Sequence, residues 1–458
     1  MKNLNKAKHE RRDPGFESRN LALSILIKID SEGSYANLVL PAELRKHSLD
    51  SRDSAFVAEL VYGTLRRQIF YDEVIAKAAG RAVTKIDLVP LHILRITAHQ
   101  LLALETPPHA AVDSAVRLTV RNKHGSASGF VNAVSRRISE RNTLEWLEIL
   151  TPGREPLDAL ALEFSHPRWI VEAYLKRLGN LDDVRRELVA NNLNPRITAV
   201  IYPGDEWSVA TLEASEPCEW VPAARYVNGN PENIIEITQR SAGIQDQGSY
   251  LAAQALALVP VDCDTSATKI PIWLDMCAGP GGKGALLERW ADEKRARFLA
   301  MEISEHRASL MTRMISTVVV ADGTQAPITP ESIDKILLDA PCSGLGALRR
   351  RPDARNRKLP SDVINLVELQ RSLLHSASEL LKVGGVLAYV TCSPVFEETI
   401  GNVQWFLEAH LDFELMDARS FFPATMALEE RFDVQLWPGL HHTDAMYVAL
   451  LQKKSRTR

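Results

Sequence analysis

From Gly243 onward the chain alternates short apolar runs with helical segments, and each run ends on an acid, a glycine-rich turn or a cysteine. Apolar runs without polar alternation are strands buried on both faces, as in a parallel sheet. Such a sheet must be wired through crossover helices. The expected strands are 271–276, 298–301, 318–321, 335–338 and 386–390. Strand, Gly-rich turn, helix, strand, helix, repeated, predicts a doubly wound, Rossmann-like α/β domain. In open α/β sheets ligands gather at the carboxyl ends of the strands. The residues directly after each apolar run are therefore the ones to weigh.

A chain of 458 residues is too long for one hydrophobic core, so two or three domains are expected. Residues 16–142 read as an all-α bundle. Leu21, Ile25, Leu26 and Ile29, then Phe56, Leu60 and Val61, then Ile93, Leu94 and Ile96, then Val112, Ala115 and Val116 recur at three- and four-residue spacing. Pro107-Pro108 separates two of its helices. Residues 143–165 look like a connector with a turn at Thr151-Pro152-Gly153, leading into a small α/β linker domain bounded at 155–238. The doubly wound domain is bounded at 239–454, with a frayed basic tail from Lys453. Residues 1–142 carry 22 Lys/Arg against 15 Asp/Glu, a balance of +7 in a chain whose total is −4. A basic module on an acidic body suits a polyanionic partner, although solvated helix faces would look the same. No apolar run approaches the roughly 18 residues needed to span a bilayer, and the N-terminus has no secretory pattern. Five cysteines in such a chain are no disulfide framework, so a reducing cytoplasm is expected, with Cys218 and Cys263 as ordinary thiols.

The first expected strand runs into Cys277-Ala278-Gly279-Pro280-Gly281-Gly282-Lys283 and then a helix. A Gly-rich turn there lets backbone approach a ligand closely. It is not a Walker A loop, which would need Gly at 277 and Ser or Thr at 284. The second strand ends at Glu302, placed for the two hydroxyls of a ribose, and the third at Asp322, placed for an adenine amino group. The ordered set fits an adenosine-containing cofactor, with NAD and S-adenosylmethionine both open. Either acid alone could equally cap the next helix.

The fourth and fifth strands deliver Asp339-Ala340-Pro341-Cys342-Ser343-Gly344 and Thr391-Cys392-Ser393-Pro394. An acid and two thiols beside a small-molecule site point to covalent catalysis. One reaction demands that set. Carbon 5 of a pyrimidine is a poor nucleophile until a thiolate adds at carbon 6, with an acid assisting at ring nitrogen 3. A base must afterwards remove the carbon 5 proton. Asp339, Cys342 and Cys392 supply acid and thiols.

The segments Asp275–Lys283, Asp339–Gly344 and Thr391–Ser393 resemble those of the RNA 5-methylcytosine methyltransferases, and within them the bacterial 16S ribosomal RNA cytosine-C5 methyltransferases. Ser51-Arg52-Asp53, Ala58–Arg67 and Gly129–Val134 with Arg136-Arg137 resemble the NusB-like helical domain that such proteins carry at the N-terminus. The resemblance implies methyl transfer from S-adenosylmethionine to carbon 5 of an RNA cytosine. It makes Cys392 the nucleophile, Cys342 the base and Asp339 the group at nitrogen 3. It places the cofactor on Cys277, Ala278, Gly279, Pro280, Gly281, Gly282, Lys283, Glu302, Asp322 and Asp339. Gly284, Asn356 and Ala445-Met446 depart from the usual pattern without removing any of these groups.

The basic run from Arg349 to Lys358 follows the Cys342 motif, and Arg349, Arg350, Arg351, Arg355 and Arg357 are expected to grip RNA phosphates. The expected partner is RNA, as 16S rRNA or an assembling small ribosomal subunit. The protein is expected to act as a monomer without a metal. His441-His442 offers no third ligand. Two other readings stand beside this one: a non-catalytic RNA-binding factor of ribosome assembly or antitermination, and a nicotinamide-dependent dehydrogenase, which would have no use for paired thiols.

Overall fold

A computed structural model describes residues 14–47, 49–262 and 270–455. Cys263, most of the N-terminal arm and the last three residues of the tail lie outside them. The chain divides into two compact units, Met1–Arg168 with Arg351–Asp353, and Trp169–Arg350 with Ala354–Arg458.

The first unit is all helical. Its main helices are Pro14–Ser31, Ala36–His47, Ser51–Arg66, Gln68–Ala79, Leu88–Leu102, Pro108–Arg121 and Ser128–Ser139. The apolar positions at helical spacing meet in one core that includes Leu23, Ile25, Leu60, Val61, Ile93, Leu94 and Ala115. Pro108 sits at the start of its helix, where the missing N–H costs nothing. The stretch read as a connector instead forms two short helices, Thr143–Leu150 and Pro156–Glu163. Asn142 and Glu145 close a reciprocal capping box at the start of the first, which stabilises a helix too short to persist alone.

The second unit carries two sheets. Strands β1 (Ile197–Ile201), β2 (Glu216–Pro217), β3 (Ala224–Val227) and β4 (Ala242–Ile244) form a small antiparallel sheet in the order β2-β3-β1-β4. The large sheet uses β5 (Ile272–Asp275), β6 (Arg297–Glu302), β7 (Val318–Val320), β8 (Ile333–Asp339), β9 (Leu381–Thr391), β10 (Phe413–Met416), β11 (Val434–Gln435) and β12 (Tyr447–Lys453). Its order is β10-β12-β9-β8-β5-β6-β7, with β11 on β12. The strands from β5 to β9 pair in parallel, while β12 runs antiparallel to β9. Lys453 thus closes a paired strand and does not fray. Successive residues of β9 point into different cores: Val386, Ala388 and Val390 to one face, Leu387 and Tyr389 to the other. Burial on both faces is why these runs are apolar without alternation. The chain order reverses between β5 and β8, and in open α/β sheets the carboxyl tips at such a switch point are where ligands bind.

Candidate active site

Every chemistry-bearing residue expected from the sequence, the arginine run excepted, sits at or just beyond a carboxyl tip of the large sheet. β5 ends on Asp275 and hands over to the Gly-rich turn; β6 ends on Glu302; Asp322 follows β7; β8 ends on Asp339; Cys392 follows β9.

The turn leads into the helix Gly282–Glu293. Gly281 has φ +108°, a conformation glycine adopts without penalty, and a Cβ on Gly279 would lie 2.2 Å from Glu302 Oε2. That close approach exists because the Gly279 N–H donates to Glu302 Oε2 at 3.0 Å. Glu302 Oε1 accepts from the Ser304 N–H at 2.8 Å and pairs with Arg307 at 2.7 Å. Asp322 is exposed, and its Oδ1 caps the following turn through the N–H and hydroxyl of Thr324. Capping thus occupies one of its oxygens.

Lys283 reaches from the helix start to Asp339 Oδ2 at 2.7 Å. Burial alone would lower its pKa, but the Asp339 carboxylate and, further off, the Cys392 sulfur hold it above the usual lysine value. Asp275 was not singled out from sequence, although it stands at the strand tip before the turn. It is 1% exposed, and neither carboxylate oxygen has a hydrogen-bond partner. Burial, and then the Asp339 charge, push its pKa up to about 8. The nearby Cys277 amide opposes the shift. Burial likewise raises the Cys277 thiol. Four carboxyl groups (Asp275, Glu302, Asp322, Asp339) face two cations (Lys283, Arg307). An orphaned buried carboxyl and an excess of acid suit an adenosyl ligand that carries positive charge, and repel a pyrophosphate.

The two thiols meet. Cys342 Sγ and Cys392 Sγ are 3.4 Å apart, each partly exposed. Adjacent parallel strands bring them there: Asp339 pairs with Val390 in the ladder, and the Ala340 N–H donates to Val390 O at 2.9 Å. The Gly346 N–H donates to Cys392 O at 2.9 Å and ties the two loops together beyond the sheet. The Cys342 thiol is held well above its ordinary pKa by its hydrogen bond to Cys392, by burial, and by the charges of Cys392 and Glu398. Cys218 is buried, away from this cluster, and burial pushes it up to about 12.

The basic run is not the open cationic strip expected. Arg349 and Arg350 are turned inward onto Asp246 and Asp444: Arg350 Nη2 is 2.8 Å from Asp246 Oδ2, and Arg350 Nε is 3.1 Å from Asp444 Oδ2. Arg349 also donates to His442 O at 3.2 Å. Arg355 is fully buried and donates to Asn192 Oδ1 at 2.8 Å and to Asn191 O at 3.2 Å. These three guanidinium groups hold the fold together and are withdrawn as phosphate contacts. Arg351 is exposed and Arg357 half-buried. His441 is fixed between the Trp437 N–H and Ala427 O.

A family model described as 16S rRNA methyltransferase RsmB/F matches residues 256–452, and a NusB family model matches residues 17–140. The chain is 39% identical to a Mycobacterium tuberculosis protein named “Putative methyltransferase Rv1407”, over 97% of this chain and 98% of that one. It is 29% identical to the ribosomal RNA small subunit methyltransferase B of Citrobacter koseri, over 95% of this chain and 99% of that one. The crystal structure of PH0851 superposes with a TM-score of 0.77 at 21% identity, covering 96% of this chain and 98% of the other, and so shares the fold.

Proposed function

The chain belongs to the RsmB/F family of 16S rRNA methyltransferases, which use S-adenosylmethionine, and from that premise we propose that it methylates carbon 5 of a cytosine in 16S ribosomal RNA through a covalent bond to Cys392. The observation that carries this reading is the pair of sulfurs 3.4 Å apart beside the Lys283–Asp339 ion pair.

The turn 277–283 with Glu302, Asp322 and Asp339 holds the cofactor, and the buried Asp275 carboxyl supplies an unused polar group at its base. S-adenosylmethionine, when bound, supplies the electrophilic methyl group that carbon 5 takes up. Cys392, as thiolate, adds to carbon 6 and pushes electron density onto carbon 5 and nitrogen 3. Nitrogen 3 takes up a proton from solvent as that charge builds and returns it on product release; Asp339, anchored by Lys283 on Oδ2, accepts a hydrogen bond from this N–H on its other oxygen. Cys342, having released its own proton to solvent, removes the proton from carbon 5. The electron pair of that C–H bond re-forms the ring double bond and expels the Cys392 thiolate. The base is flipped out or single-stranded so that the thiolate can reach carbon 6. Arg351 and Arg357, with the NusB-family helices, contact the RNA backbone. The protein works as a monomer and needs no metal.

Labelled S-adenosylmethionine with unmodified 16S rRNA tests the reading. Wild type transfers label to cytosine, Cys392→Ala does not, and Cys342→Ala accumulates a denaturant-resistant protein–RNA species. No transfer by wild type, or full transfer by Cys392→Ala, overturns it.

A further inference from the structure

Glu398 plays no part in the reaction above, yet it is fully buried directly behind both thiols. No ion pair neutralises it among the described residues. It is satisfied instead by four donors. Oε1 accepts from the Ser343 N–H at 2.7 Å and from Gln370 Nε2 at 3.2 Å; Oε2 accepts from the hydroxyls of Ser343 and Ser393, both at 2.6 Å. A carboxylate accepts at about four lone-pair sites and donates nothing, so this donor set matches it in full. Burying a lone charge is expensive, and fixed donors of this kind are what make it tolerable.

The donors are not scattered. Ser343 follows Cys342 and Ser393 follows Cys392. Gln370 Nε2 also donates to Pro341 O at 2.8 Å, so the backbone is held on both sides of Cys342. An outer brace fixes the clasp: Tyr389 donates to Glu398 O at 2.8 Å, and Asn402 Nδ2 donates to Gln370 Oε1 at 2.7 Å.

We propose that Glu398 is the positioning residue of the thiol pair: one carboxylate, acting through Ser343 and Ser393, sets the separation of the two sulfurs and directs the proton they share onto Cys342. This rests on the two-thiol methyltransferase reading. The Glu398 charge is among the causes that keep Cys342 protonated, behind its hydrogen bond to Cys392 and burial. The other titratable and charged groups around the pair are Tyr389 near Cys342, and Lys283 with its partner Asp339 near Cys392. Glu398 thus disfavours a thiolate at Cys342, the sulfur that does not attack.

The test uses the full chain carrying Glu398→Gln, Glu398→Ala or Ser393→Ala. Methyl transfer to unmodified 16S rRNA gives kcat, KM and the pH profile. Binding of S-adenosylmethionine gives the cofactor affinity, and iodoacetamide alkylation of the free protein, resolved by mass spectrometry, gives the reactivity ratio of Cys392 to Cys342. For Glu398→Gln, kcat falls about tenfold or more while cofactor affinity and KM stay near wild type, as expected when only the geometry of reacting groups is lost. The alkylation ratio narrows, and the pH limb set by Cys342 moves to lower pH because a negative charge beside it is gone. Glu398→Ala falls further, and Ser393→Ala reproduces part of the effect. Folded Glu398→Gln and Ser393→Ala proteins with wild-type kcat, pH profile and alkylation ratio would overturn the proposal. Should neither Glu398 variant fold, Ser393→Ala decides alone. A wild-type enzyme that transfers no methyl sinks the underlying reading instead, and the alkylation ratio then still reports on the clasp.

Discussion

Adding one methyl group at Gly346 tests how rigidly Cys392 is held. Gly346 lies in the turn beyond Cys342, between the Cys392 carbonyl, to which its N–H donates, and the Ala445 N–H, which donates to its carbonyl. A Cβ there would lie 2.3 Å from Ala445 O and 2.8 Å from Cys392 O. Real Cβ contacts essentially never fall below 3.0 Å, so the backbone must give by at least 0.7 Å, the difference between 3.0 and 2.3 Å. Both obstacles are main-chain oxygens, and no side chain can swing aside. Overpacking of this kind costs about 1–3 kcal/mol, and a misplacement near 1 Å costs a reaction about 10²-fold. Gly346→Ala is therefore expected to melt a few degrees lower and to lose roughly 10- to 100-fold in kcat, with cofactor affinity intact. Calorimetry, cofactor titration and the labelled-methyl assay measure the three effects. Gly129→Ala is the control. It sits on the exposed side of the helix Ser128–Ser139 with nothing within 4 Å of the new methyl, and should gain up to about 1 kcal/mol in stability. A Gly346→Ala enzyme with wild-type melting and kcat would show that the Cys392 loop yields freely, and would refute the claim that the fold fixes this sulfur.

Arg350→Ala removes one of the two cations that face the buried Asp246 and Asp444 and leaves Arg349 alone with them, so it is expected to destabilise by about 1–3 kcal/mol in thermal unfolding, whereas Arg351→Ala should leave stability unchanged and reduce the salt dependence of RNA binding; the reverse pattern would restore Arg350 as a phosphate contact. Breakdown of the covalent protein–RNA species, followed by pulse and chase, should accelerate about tenfold per pH unit as long as Cys342 in that species is mainly protonated, because only the thiolate can take the proton; a rate independent of pH would remove Cys342 from that role. Asp275 has a folded-state pKa of about 8 against about 3.9 unfolded. The folded protein therefore holds more protons between those values, and the stability this group contributes is present in acid and lost as pH rises from about 4 to 8. Asp275→Asn should flatten that pH dependence, raise the stability of cofactor-free protein at pH 8 by an order of a few kcal/mol, and weaken cofactor binding; an unchanged profile in urea titrations would mean that Asp275 is solvated.

The placement of the candidate residues was legible where it rests on strand tips. Ile336 to Leu338 and Val386 to Val390 had to be apolar because both faces of β8 and β9 are covered, and the residue after a buried parallel strand emerges at the chemical edge of the sheet. The same local reasoning misjudged the arginine run. A string of positive charge resembles a phosphate grip until its partners are known, and these lie far along the chain: Asp246 is 104 residues from Arg350 and Asp444 is 94. Glu398 was hidden for the same reason. Beside Glu397 and Thr399 it resembles an exposed turn acid, and only the return of Ser343 and Gln370 through the sheet makes it a buried clasp. The helix at Thr143 was readable in principle, since Asn142 and Glu145 form a capping pair at the right spacing.

The close approach of the two sulfurs also orders the proposed reaction in time. In the free protein the leading cause that keeps Cys342 protonated is its hydrogen bond to Cys392, ahead of burial and of the Cys392 and Glu398 charges. Once Cys392 has bonded to carbon 6 its sulfur is a thioether. It can no longer carry a negative charge, and it is a weak partner in a hydrogen bond. Two of the four influences that raise the Cys342 pKa vanish together, while burial and Glu398 remain. The second thiol thus becomes the stronger acid, and its thiolate the more accessible base, only after the first has committed to the ring. A site that must not strip protons before the methyl group arrives gains that order from 3.4 Å of separation, without a moving part.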